Sequence, residues 1–211
     1  MQLRGFAMVD GVSFTDGKHR FTGRILSNGE FQIRQGGSWF SRFSLRQKIA
    51  FLALIILTAL DYGWKGFADF WYWIMLIPII PFILCLSPSQ KRFHGAEHEA
   101  VNLYGGQIPS VFHPGCGTNL ILMILPGLFL ELLPWGFWIT LVCEAIYLLI
   151  VLKIVWPTFQ RSLQNGNLLA LLWWRLSRQW QRFFVAEPND DEYRLAILTL
   201  ESLLKDVKDG E

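Results

Sequence analysis

Three of the four histidines in this 211-residue chain, His94, His98 and His113, fall within 20 residues, and Cys116 stands three positions past the last of them. Imidazole and thiolate together are ligands that suit zinc better than a hard cation. Ser89 to Tyr104 reads as a helix closed by Gly105-Gly106, which places His94 and His98 at i and i+4, on one face and a turn apart, where both can hold one ion. Glu97 lies beside them, whereas Glu99, one residue past His98, turns away from that face. His113-Pro114-Gly115-Cys116-Gly117 supplies a second pair with the two-residue spacing of zinc knuckles, and Gly115 and Gly117 let the backbone fold tightly enough for both side chains to meet an ion. Taken singly, each histidine reads as a satisfied polar side chain and the cysteine as a small core residue. The metal reading rests on all four together.

Four such ligands complete a tetrahedral shell, and closed shells are usually structural, whereas catalytic zinc keeps a position for water. The order His94-Gly95-Ala96-Glu97-His98 is H-x-x-E-H, found in the inverzincin metallopeptidases, where the glutamate activates water. Glu97 is thus either a general base or a carboxylate that orients a histidine. Glu144, near the middle of a long apolar run, has three readings: a further metal ligand, a proton-handling group, or a side chain bonded to neighbouring helices.

The elements that must position these groups are those of a membrane protein. Hydrophobic residues make up 52% of the chain and charged ones only 17%, and ten Trp and 17 Phe suit apolar segments with aromatic side chains at their interfaces. A net charge of +2 with this composition excludes a nucleic-acid partner, and three cysteines, Cys85, Cys116 and Cys143, make no disulfide framework. Residues 1–46 form a cytoplasmic N-terminal segment with no secretory signal, in which Asp16-Gly17 and Asn28-Gly29 predict a small β-meander over residues 5–35. Apolar stretches at 49–60, 67–86, 119–133 and 135–156 predict two helical hairpins, 47–86 and 119–156, giving about four membrane segments. Of these, 49–60 and 119–133 are short enough to be re-entrant instead. The metal-motif helix and loop, 87–118, lie between the hairpins.

Lysine and arginine placement orients the whole. Eight lie in the first 48 residues, Lys91 and Arg92 lie in the central loop, and seven follow Trp156, so both termini and the loop face the cytoplasm of a bacterial inner membrane. Residues 157–211 divide into a Trp- and Arg-rich interfacial helix over Leu168 to Phe184 and a last helix capped by Asn189 or Asp190, with Leu195, Ile197, Leu198, Leu203 and Leu204 on its apolar side. The fold class is therefore mainly α.

The run Arg92 to Asn102 followed by His113-Pro114-Gly115-Cys116-Gly117-Thr118 resembles the YqhQ-like family of bacterial membrane proteins, described as predicted metal-dependent enzymes of unknown function. Met8-Val9-Asp10-Gly11-Val12, Glu144 and Glu187-Pro188-Asn189-Asp190-Asp191 are similar to further elements of that family, while Gly115 stands where a basic residue is usual. The resemblance implies a membrane protein with a metal centre. Two functions follow as expectations. One is a zinc-dependent hydrolase at the cytoplasmic membrane face, with His94, His98, His113 and Cys116 around the ion and Glu97 as base. The other is a non-enzymatic scaffold or assembly subunit with a structural zinc site. The expected partners are the lipid bilayer and a membrane protein or a second copy of the chain.

Overall fold

A computed structural model of the chain describes residues 3–36, 48, 49, 52, 86–124, 126, 127, 130 and 137–209. They divide into two compact units, Met1–Phe112 with Phe184–Glu211, and His113–Phe183.

In the first unit, turn chemistry sets the strand register. Gly17 and Gly29 take positive φ, and Asp16 Oδ1 accepts the backbone N–H groups of Lys18 and His19 at 2.8 and 2.7 Å. Strands β1 (Arg4–Ala7), β2 (Gly11–Thr15), β3 (Arg20–Ile25) and β4 (Phe31–Gln35) pair in sequence order, all antiparallel, with Phe14 opposite Phe21 and Gly23 opposite Ile33. This is the meander that the two turn dipeptides predict.

Helix α1 (Pro88–Tyr104) starts one residue before the expected position. Ser87 and Gln90 form a capping box around Pro88, each side chain accepting the other's backbone N–H at 3.1 Å. It ends as the glycine pair predicts. Gly106 has φ +70, and the N–H groups of Gln107 and Gly106 return to the carbonyls of Asn102 and Leu103, a Schellman closure.

The last helix of the chain, α6 (Asp190–Asp209), packs against β2, β3 and α1. Val12 and Phe14 from the sheet, Phe93, Ala96 and Ala100 from α1, and Leu195, Ala196, Leu200 and Leu203 from α6 make one buried core. The buried stripe of α6 thus runs through residues 192, 195, 196, 199, 200 and 203 and not through Leu198, which is exposed. Asn189 and Glu192 cap α6 reciprocally at 2.8 and 2.9 Å, and the buried Glu192 carboxylate also receives Arg92 Nε of α1 at 2.8 Å.

The second unit is helical: α2 (Gly117–Ile124), α3 (Phe137–Ile150), α4 (Trp156–Gln164) and α5 (Leu168–Gln181). A π-helical turn, Val151–Val155, joins α3 to α4 without a break. Pro157 lies just beyond it and supplies no N–H, so the widened turn accommodates the ring where a regular helix would clash. Asn167 caps α5 through the N–H groups of Leu169 and Ala170. Met123, Val151, Phe159 and Ala170 form its core, and Tyr147 Oη donates to the Met123 carbonyl at 2.8 Å.

Among the described residues one helix, Val142–Gln164, is long and apolar enough to cross a membrane, by length and composition alone. It runs past the end of the 135–156 segment read from hydropathy, to Gln164. The first expected hairpin, 47–86, lies outside the described residues except at 48, 49, 52 and 86, and of the 119–133 segment the described α-helical part ends at Ile124, with 3-10 geometry at 126, 127 and 130. The chain is mainly helical with an N-terminal four-stranded antiparallel sheet.

Candidate metal centre

Helix α1 buries two faces. Phe93, Ala96 and Ala100 face the core just described, which leaves His94 and His98 on another side, their ring centroids 4.5 Å apart. Backbone carbonyls orient both rings: His94 Nδ1 lies 3.1 Å from the Phe184 oxygen and His98 Nδ1 lies 2.6 Å from the Val111 oxygen. A carbonyl can only accept, so each Nδ1 carries the hydrogen, and in the neutral ring Nε2 then keeps the lone pair able to bind a cation. This outer hydrogen bond is the usual companion of a metal-ligating histidine.

The two carbonyls come from segments clamped onto α1. Asn102 Nδ2 donates to the carbonyls of Ser110 and Phe112 at 2.9 and 3.2 Å, fixing the loop that carries Val111. Ala186 N–H donates to the Lys91 carbonyl at 2.9 Å, fixing the strap that carries Phe184. The strap crosses α1 at Gly95, where a methyl group would run into the Ala186 oxygen. Glu97 is 8% exposed, and its Oε2 lies 3.8 Å from His94 Nε2, the ring nitrogen opposite the Phe184 contact. Glu99 sits away from the rings; burial, and secondarily the Glu187 carboxylate, raises its pKa.

The His113–Gly117 turn is held from three directions. Gln181 is fully buried; its Oε1 accepts the His113 N–H at 3.1 Å, and its Nε2 donates to the His113 carbonyl and to Asn119 Oδ1, both at 2.8 Å. Asn119 Nδ2 donates to the carbonyls of His113 and Pro114, and Gln160 Nε2 donates to Pro114 at 2.9 Å. The His113 ring lies over Gly115, where a Cβ would sit 2.7 Å from its Cε1. Burial lowers the His113 pKa and keeps the ring neutral. Burial raises the Cys116 thiol, against the opposing effect of Thr118, whose hydroxyl lies 3.1 Å from the sulfur.

Ligand atoms of His94, His98 and Cys116 all lie within 4.8 Å of one another, close enough to bind a metal ion. Ligands of one tetrahedral zinc would stand about 3.3–3.8 Å apart, from Zn–N and Zn–S lengths of about 2.0 and 2.3 Å, so the set fits an ion with its atoms drawn slightly together. Among the described residues His113 and Glu144 are not in this group. Glu144 lies half-buried on α3. Phe184, Val111, Asn102, Gln181 and Gly95 were not singled out by sequence reasoning. Only Gly95, a glycine inside a helical run, carried a local signal of close packing.

Residues 51–206, about three quarters of the chain, match a family model described as protein of unknown function, DUF1385. The chain belongs to this family. It is also 29% identical over 148 residues to the uncharacterized protein YqhQ of Bacillus subtilis (strain 168), a match covering 63% of this chain and 46% of that protein, so the chain aligns with under half the length of this relative. No solved structure matches.

Proposed function

We propose that the chain is a multi-pass inner-membrane metalloprotein that hydrolyses its substrate at the cytoplasmic face of the membrane. The observation that carries this reading is the arrangement around His94. Two histidines are tautomerically fixed with Nε2 as ligand, a thiol is within reach of the same ion, and a buried carboxylate lies 3.8 Å from one of the ligand nitrogens. Three protein donors are the number that leaves a catalytic zinc a place for water. When bound, the ion supplies Lewis acidity and a water of lowered pKa. Glu97 Oε2 is then the base that takes a proton on the His94 side, while the carbonyls of Phe184 and Val111 keep both imidazoles from turning. Exposed Ile139, Val142, Ile146, Leu149 and Ile154 along α3 and the π-helical turn support burial of that helix in lipid, with Glu144 as an inward-facing carboxylate among neighbouring helices.

The scaffold reading has one observation in its favour, the rigid seating of His113 three residues from Cys116, from which it can supply the fourth ligand of a closed structural shell. Glu97→Gln separates the two. It keeps shape but cannot take a proton, so a hydrolase should retain metal and lose complementation of a deletion strain at matched membrane abundance, as for a general base that contributes roughly 10²–10⁴-fold. Full complementation by Glu97→Gln removes the hydrolase reading.

A further inference from the structure

We propose that strand β1 is part of the metal centre, with Gly5 as the positioning residue that holds the Glu97 carboxylate toward His94. This rests on the hydrolase reading just given and extends it to a residue 92 positions upstream of Glu97.

A glycine inside a strand has no side chain to pack and weakens the strand, so its presence calls for a reason. Backbone conformation is not that reason, because Gly5 is not among the glycines with positive φ and lies in regular register opposite Phe14. Space is the reason. A Cβ on Gly5 would overlap three atoms of Glu97: Cγ, Cδ and Oε1. The side chain therefore lies flat on the β1 backbone with Oε1 against the strand, and its other oxygen, Oε2, is the one 3.8 Å from His94 Nε2. The carboxylate is wedged between a strand and a ligand ring. Because the overlap reaches Cγ, rotating the carboxyl group alone cannot clear it. Any larger residue at position 5 must swing the whole side chain, and Oε2 leaves the metal side. Helix α1 packs on β1, so the wedge belongs to the core packing of this unit.

The test uses the purified full-length chain in detergent with Co²⁺ as probe, in wild type, Gly5→Ala, Glu97→Ala and the double variant. Gly5→Ala should still bind Co²⁺ but show the visible spectrum of Glu97→Ala, not that of wild type, and should lose complementation to the same extent. On the Glu97→Ala background it should leave the spectrum unchanged and no longer lower the melting temperature, since nothing remains to displace; this non-additivity is the mark of a direct contact. If Gly5→Ala alone fails to fold, its rescue by Glu97→Ala gives the same answer. A Gly5→Ala protein with the wild-type spectrum, or an equal perturbation on the Glu97→Ala background, overturns the proposal. Absence of Co²⁺ binding by wild type overturns the metal reading itself, a distinct result.

Discussion

Gly95→Ala sets two physical effects against each other at a ligand-bearing helix. In an isolated helix alanine is favoured over glycine by about 1 kcal/mol, so propensity alone predicts a more stable protein. The structure predicts the reverse. The new methyl would run into the Ala186 carbonyl and also sit 3.2 Å from Val111 Cγ1, and the first obstacle is backbone that cannot rotate aside. Overpacking of this kind costs about 1–3 kcal/mol. Lifting the strap also strains two hydrogen bonds, Ala186 N–H to Lys91 O and His94 Nδ1–H to Phe184 O, each worth about 1 kcal/mol net. After the propensity gain is deducted the variant should be less stable by about 1–4 kcal/mol. At roughly 2–4 °C per kcal/mol for a chain of this size, that is a fall of several degrees in melting temperature. The same displacement frees the His94 ring, so zinc affinity should drop along with stability, by about 10–100-fold for a lost orienting partner. Thermal melting in detergent and competition against a chromogenic chelator measure the two. A variant that melts at or above wild type, with unchanged affinity, would refute the close crossing of strap and helix.

The burial-raised pKa of Glu99 means that folding favours its protonated form, so the ionised group burdens the folded state at neutral pH and the burden lifts as pH falls through the raised pKa. Glu99→Gln should therefore melt higher than wild type at pH 7 to 8, with a gap that closes in acid; a gap that widens in acid contradicts the assignment. For topology, a cysteine placed at Ser110 should resist membrane-impermeant thiol reagents applied to intact cells and react after permeabilisation, and labelling from outside would reverse the proposed orientation. Cys116→Ser should lower the metal content of the purified protein, because the proposed centre counts Cys116 among its ligands, and undiminished metal would remove Cys116 from it.

What the sequence made legible is what side-chain type and short spacing encode. The i, i+4 histidines, the glycine pair that ends α1, the two hairpin turns and the cap at Asn189 are all local, and each has a residue-type signature. The parts that orient the site do not. Phe184 and Val111 act through backbone oxygens that any residue could supply, and the strap reaches α1 from ninety residues downstream. The roles of Gly5 and Gly95 depend on what lies against them. Hydropathy likewise placed a long apolar helix but not its end, because the apolar run stops at Trp156 while the π-helical turn leads straight into α4 and carries the helix on to Gln164. On α6 the alternation of leucines with small residues hid the buried stripe, since Ala196 and Thr199 are inside while the larger Leu198 is out.

The strap also fixes when the centre can mature. The meander pairs residues no more than 14 positions apart, so its register can be set before the rest of the unit is made. His94 is oriented only after Phe184 has been synthesised, and the strap is secured only when Glu192 has both capped α6 and met Arg92. Between His94 and Phe184 the chain must first make all of the second unit, His113–Phe183. A nascent chain therefore displays its histidines and cysteine well before the carbonyl that orients His94 has been made. A chain stopped ahead of the strap would have the candidate ligands without the contact that orients His94.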